Sequence, residues 1–493
     1  MQPTPTTEHV AGSPAFRSAG RSVWSQTPLN ERLAWVKAFR KSLASHLDEF
    51  CELAGAEVGK PRVETLTTDL MPVLANARWL EQRARSILRD RSLRGGGVLG
   101  MGKSQTVRRE PLGRVAIIAT WNYPIGLVGV ELLAALVAGN TVVVKPSENA
   151  PRTQAALLRL AQAGLPEGTL TSVEPTREAG EALLHEQRFD HVVFTGSTKV
   201  GKAIAGALAP SLTPSTLELS GRDSALVLAD ADLDLAARSL WFVVHQNAGQ
   251  TCMAPRRILV ERPAYAAFLR HLGLHAAGAQ PRKLISESAA ERTYDLAKAA
   301  VDAGGRSLSS VIEPPNGAWL RPLAIVDCPE DAPLVEGDYF GPVTAVLPVD
   351  SEEHALEVHH RCEQHLATSV FTKSPRAAAR RLARRQGATT VTMNDCVIPT
   401  VHPAASIGGI GPSGWGVSQG EAGLLGMTRP VFVSVTHPLL RPPTDEQAPE
   451  RVRQMAGFVA RLYGAGPKRT SGSANATSKR ADGDPAIIGD AES

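Results

Sequence analysis

The sequence predicts an α/β protein built on parallel sheets, laid out as two successive alternating regions. Three observations carry this. Short apolar runs without polar alternation recur at 114–119 (RVAIIA), 141–145 (TVVVK) and 191–195 (HVVFT). Segments of helical length separate them, and a second series of the same kind begins after Glu218. Strands buried on both faces read as continuous apolar runs, and their alternation with helices implies right-handed crossovers.

The elements follow in order. Residues 1–22 are rich in Pro, Thr, Ser and Gly and predict a flexible arm. Over 27–92, Leu33, Val36, Phe39 and Leu43, then Val73, Ala77 and Leu80, recur at helical spacing. A glycine-rich bend at 94–104 leads into an edge strand at TVRRE. The run 114–119 is followed by a helix at 125–138, the run 141–145, a helix at 151–163, a strand near 170–173 and a helix at 178–186. After 191–195 a further helix starts near Thr198. The second region predicts strands at 225–229, 257–260, 324–326, 344–349, 369–372 and 389–394. Helices at 232–246, 263–272, 351–360 and 375–386 lie between them. The late run 431–436 (VFVSVT) predicts a strand that pairs outside its own domain. Residues 449–463 place Val452, Met455, Val459 and Leu462 on one helical face, which favours a packed helix over a membrane-surface one; from Gly464 the composition is that of a disordered tail.

Composition narrows the function. The 493 residues carry 53 Lys and Arg against 49 Asp and Glu, a formal charge of +4, which calls for no polyanionic partner. Five cysteines with no CxxC spacing argue against a disulfide framework or a cysteine-rich zinc site. The N-terminus lacks the charged and apolar regions of a signal peptide. The stretch 125–144 reaches membrane-spanning length, but Glu131, Asn140 and the Gly139-Asn140 break favour a buried helix, a turn and a strand. The expectation is a cytoplasmic protein with no membrane span and no nucleic-acid partner.

Five segments carry chemistry. Cys252, in NAGQTCMAP, stands in a small polar loop that leaves a sulfur accessible, although taken alone a cysteine is more often an inert thiol. Glu218, in TLELSGRDS, lies at a strand-to-turn boundary between Leu217 and Leu219, where desolvation raises a carboxyl toward general-base range. Asn122, in ATWNYP, sits at the carboxyl end of a predicted parallel strand, where ligands gather. Lys145 and Glu148, in VVVKPSE, end the next strand; Lys suits a ribose hydroxyl, and Glu suits an adenosine 2′-OH while repelling a 2′-phosphate. Residues 196–201 (GSTKVG) open a helix whose free N–H groups suit a pyrophosphate. The segment is not GxGxxG, and as a P-loop it fails at Ala203, where a metal-binding hydroxyl is required.

Taken in order over about residues 23–438, EPLGRVAIIATWNYP, AGNTVVVKPSE, FDHVVFTGSTKVGK, TLELSG, NAGQTC, YFGPV and GGIGPSGWG resemble the aldehyde dehydrogenase superfamily. ATWNYP, FDHVVFTGST, LTPSTLEL and GGIGPSG look most like its class 3 branch, which handles medium and long aliphatic or aromatic aldehydes. The resemblance implies NAD(P)-dependent oxidation of an aldehyde to an acid, with NAD expected and NADP possible. Cys252 would be the nucleophile, Glu218 the base that activates water, and Asn122 an oxyanion donor. Trp121, Lys145, Ser147, Glu148, Gly196, Ser197, Asp338 and Phe340 would hold the cofactor.

The same resemblance implies a Rossmann-like cofactor domain (23–95 with 112–217) and a catalytic α/β domain (218–404). A β oligomerisation arm (96–111 with 429–438) would make a homodimer. A C-terminal helical segment (439–463) and a disordered tail (464–493) follow. Three departures stand out: Asp338 replaces the usual Glu, Ser220 and Arg222 alter the ELGGK pattern, and Ser406-Ile407 replaces Pro-Phe near the expected substrate entrance. Two other enzyme readings are a CoA-acylating aldehyde dehydrogenase, against which Glu218 argues, and a nucleotide-binding protein using 196–202. A structural protein that kept the fold would be expected to lose Cys252.

Overall fold

A computed structural model describes residues 22–94, 100, 102–309, 312–437 and 447–464. The chain divides into two compact units. The first spans Met1–Leu93 with Gln105–Val433, and the second comprises Arg94–Ser104 with Ser434–Ser493.

In the first unit a six-stranded sheet runs Gly414–Trp415, Ser215–Leu219, His191–Gly196, Arg114–Ile118, Thr141–Lys145, Leu170–Ser172. All neighbours are parallel except the first pair, where Gly414 faces Glu218. The apolar runs are continuous because side chains alternate between two covered faces. Val115, Ile117, Val142 and Val144 pack into one core with the helices Leu29–Ser45, Met71–Ile87 and Gly126–Ala138. Ala116, Ile118, Val143, Val192 and Phe194 enter another with Leu183, Ile204 and Leu208.

A seven-stranded sheet follows, in the order Arg306–Ser307, Leu323–Val326, Val343–Val349, Pro255–Glu261, Asp223–Val227, Ala367–Phe371, Thr390–Met393. Only its first strand is antiparallel. Alternation recurs: Leu226, Leu259 and Leu347 face one core, and Val227, Ile258 and Val346 face the other. The elements read from the sequence form close to the expected bounds. Sequence reading missed the helix Glu287–Asp302, whose Ala289, Ala290, Thr293, Ala297 and Ala300 make the buried stripe.

The stretch 125–144 is the buried helix Gly126–Ala138, a left-handed Gly139 at φ 98°, and the strand Thr141–Lys145. Among the described residues no helix is long and apolar enough to cross a membrane. The late strand is Thr428–Thr436, which joins Lys103–Pro111 and Arg91–Ser92 in a three-stranded sheet.

In the second unit 449–463 is the expected helix, Pro449–Tyr463. Val452, Met455, Val459 and Leu462 lie on one face of it. An amphipathic pattern specifies a face and not what covers it. The arm expected over 1–22 and the tail expected over 464–493 fall almost wholly outside the described residues.

Candidate active site

The cysteine loop is held in an uncommon backbone shape. Asn247 and Ala248 adopt φ of 51° and 53°, followed by Gly249 at 68°. Left-handed non-glycine residues cost energy that surrounding contacts must offset. A Cβ on Gly249 would lie 2.2 Å from the Gly341 carbonyl oxygen, so only glycine fits there. Asn247 N donates to Glu64 Oε2 at 2.7 Å, and Asn247 Nδ2 donates to the Asn122 and Gln250 carbonyls at 2.8 and 3.0 Å. The buried Arg256 guanidinium donates to the carbonyls of Gly249, Thr251 and Gly341 at 3.0–3.1 Å. Cys252 emerges from this scaffold half-buried, whereas the other four cysteines are buried.

The Asn122 segment is fixed by a buried ion pair. Lys60 Nζ lies 2.7 Å from Asp69 Oδ2, donates to the Asn122 carbonyl at 2.8 Å and stands 3.8 Å above the Tyr123 ring. Asp69 Oδ1 accepts from the amides of Ile125 and Gly126 at 3.1 and 2.5 Å, at the start of the helix Gly126–Ala138. Breaking such a pair typically costs ~3–5 kcal/mol, because one charge is left buried alone. The Asn122 side chain accepts from Thr120 at 3.0 Å and donates to the Gln250 carbonyl at 3.1 Å. Its amide retains a second N–H.

Glu218 projects from the end of Ser215–Leu219. Its Oε2 accepts from Thr195 Oγ1 at 3.4 Å, and its Oε1 is buried without a hydrogen-bond partner. Desolvation raises its carboxyl above the ordinary range, partly offset by the Ser418 and Thr195 hydroxyls. Beside it lies a residue that sequence reading used only against a membrane span. Glu131 is buried, and desolvation together with the Glu218 charge pushes its carboxyl up to about 8. Burial also pushes the Cys252 thiol up to about 12, with the Glu218 charge adding to it, while the backbone amides of Met253 and Cys252 pull the other way.

Cys252, Glu218, Glu131 and Asn122 line one cavity of about 770 Å³, together with Trp121, Gly196, Ser197, Asp338 and Phe340. Trp121 and Phe340 meet edge to face with ring centroids 5.9 Å apart. Ser197 caps the helix Thr198–Leu208, accepting from Val200 N at 3.3 Å. Gly201 permits this helix to press on the strand, since a Cβ there would meet Leu219 at 2.4 Å. Lys145, Ser147 and Glu148 lie outside the cavity lining, at the end of Thr141–Lys145. The buried Lys145 ammonium pairs with the half-exposed Glu148, and the Ser147 hydroxyl accepts from Asn149 N at 3.3 Å. An aromatic edge, a helix N-terminus behind a glycine and ribose-matching polar groups suit a dinucleotide.

Comparison with known proteins agrees. The family model of the aldehyde dehydrogenase family matches residues 10–433. The betaine aldehyde dehydrogenase of Vibrio vulnificus (strain CMCP6) is 31% identical over 450 residues, covering 87% of this chain and 90% of the relative. The aldehyde dehydrogenase family 3 member A2 of Mus musculus is 29% identical, covering 83% of each chain. The structure of Mycobacterium tuberculosis aldehyde dehydrogenase complexed with NAD+ superposes with a TM-score of 0.77 at 30% identity, covering 84% of this chain and 86% of that one. This chain belongs to the aldehyde dehydrogenase family, whose members oxidise aldehydes with NAD or NADP.

Proposed function

We propose that the protein oxidises an apolar aldehyde to its carboxylic acid through a thioester on Cys252. The observation that carries this is one cavity lined by Cys252, Glu218, Asn122, Trp121 and Phe340. Burial raises both the Glu131 and the Glu218 carboxyls, and Glu218, whose charge bears on Cys252, is assigned as the base. The Cys252 thiol gives up its proton to solvent water, and the thiolate sulfur attacks the carbonyl carbon, giving a thiohemiacetal oxyanion. The Asn122 amide and the Cys252 backbone N–H hold the oxyanion; one such donor is typically worth ~10²–10³ in rate. A bound nicotinamide dinucleotide supplies the hydride acceptor for the carbon–hydrogen bond. Glu218 then takes a proton from water, the hydroxyl adds to the thioester carbon, and the Cys252 thiolate leaves.

Gly196 and Ser197 would hold the pyrophosphate, and Lys145, Ser147 and Glu148 the adenosine portion. Trp121, Asp338 and Phe340 would flank the nicotinamide side. Glu148 would disfavour a 2′-phosphate, supporting NAD over NADP. Val63, Met71 and Phe242, exposed apolar residues in the lining, support an aliphatic or aromatic substrate. Ile407, one of the departures from the family pattern, also lines the cavity. The strand Thr428–Thr436 exposes Phe432, Val433 and Val435, which supports dimerisation through this arm.

The test is Cys252→Ala. Aldehyde-dependent NADH formation should vanish while NAD still binds with near wild-type affinity. Steady turnover in this variant would refute the mechanism.

A further inference from the structure

The helix Glu352–His360 ends in two histidines, and the loop after it brings a third, His365, back beside them before the strand Ala367–Phe371. Ring centroids lie 4.2 Å apart for His359 and His365, 5.1 Å for His359 and His360, and 5.5 Å for His360 and His365. One ring nitrogen from each lies within 4.8 Å of the other two.

The hydrogen bonds orient the rings. His359 Nε2 lies 2.6 Å from the Gln386 carbonyl, and His360 Nε2 lies 2.7 Å from the Arg385 carbonyl. A carbonyl only accepts, so both Nε2 atoms carry the proton. A neutral imidazole has one N–H, so both Nδ1 atoms hold bare lone pairs. Metal-binding histidines are tied in this way, the far nitrogen donating to a carbonyl.

His359 is fully buried, and the Nδ1 atoms of His359 and His365 are buried without a hydrogen-bond partner. Buried acceptors left unpaired are costly. Arg257 donates to the Val358 and His359 carbonyls at 3.1 and 3.4 Å.

We propose that His359, His360 and His365 bind one divalent transition-metal ion of the zinc type through their imidazole nitrogens. Three imidazoles suit zinc, copper or nickel; magnesium and calcium require oxygen ligands. His360 is exposed and gives the ion an approach from solvent. The connecting loop reaches the catalytic cavity. The Gln364 carbonyl accepts from Arg222 N at 3.1 Å, Leu366 N donates to Asp223 Oδ1 at 2.8 Å, and Leu366 lines the cavity with Cys252. The site stands on its own residues and not on the reaction.

The experiment is a calorimetric titration of the chelator-treated full chain with Zn2+, paralleled by Co2+ as a spectroscopic probe. Wild type should take up one ion and give the visible absorption of low-coordinate cobalt without a thiolate charge-transfer band. His360→Ala and His365→Ala should each weaken binding by at least ~10–100-fold, the range seen even for outer partners of metal ligands. Cys252→Ala should bind as wild type does. No uptake by the wild type, unchanged uptake by His360→Ala, or loss of uptake in Cys252→Ala would overturn the proposal. His360 is exposed, so its variant decides the matter even where His365→Ala fails to fold.

Discussion

Glu131 sits in an otherwise apolar helix, buried beside Glu218, and its burial has a thermodynamic consequence. Its folded value is raised from the ordinary 4.5 to about 8. Between those two values the folded state holds a proton that the unfolded state has released. The contribution of this carboxyl to stability is therefore full below about 4.5 and is lost as pH rises toward 8. Glu131→Gln removes this loss. Thermal melts should show a variant more stable than wild type, by a margin that grows from pH 5 to pH 8. A margin independent of pH would show that Glu131 is not buried beside a charge. At this scale Cys252, Glu218 and Asn122 were legible because each stands in a local motif. Glu131, Lys60 and Asp69 were not, because their meaning comes from partners distant in sequence. Lys60, for example, meets the Asn122 carbonyl across 62 positions.

At the scale of elements, the strands were legible because burial on both faces leaves continuous apolar runs. The helix Glu287–Asp302 escaped because its buried stripe is mainly alanine, which carries little apolar contrast. The three left-handed residues before the cysteine were also invisible. Asn and Ala adopt that shape here only because Glu64, Arg256 and the Asn122 segment hold them. Gly249→Ala should push against the Gly341 carbonyl, destabilise the fold by about 1–3 kcal/mol and lower turnover by displacing Cys252. Denaturant unfolding with steady-state kinetics checks this. Unchanged stability and rate would mean that the loop tolerates a side chain and is not the constraint described.

For the whole molecule, two sheets covered on both faces supply the framework, and the groups that line the cavity come from the ends of strands and from the loops between them. The general architecture was legible from alternation alone; the joining of Gly414–Trp415 to the first sheet was not, because its two residues pair with Ser215–Leu219 across some two hundred positions. The exposed apolar strand Thr428–Thr436 predicts self-association. Sedimentation velocity should give twice the 52.3 kDa chain mass, and Phe432→Asp should return it toward the monomer. A wild type that sediments at the single-chain mass would remove the dimer from this account.

The central claim is that one sulfur carries the acyl group and one carboxylate releases it. Glu218→Gln, mixed with NAD and an aldehyde and quenched after a single turnover, tests it by peptide mass spectrometry. The account predicts that the peptide containing Cys252 gains the mass of the acyl group while NADH forms once per site. NADH formation with an unmodified Cys252, or an adduct on another residue, would contradict it.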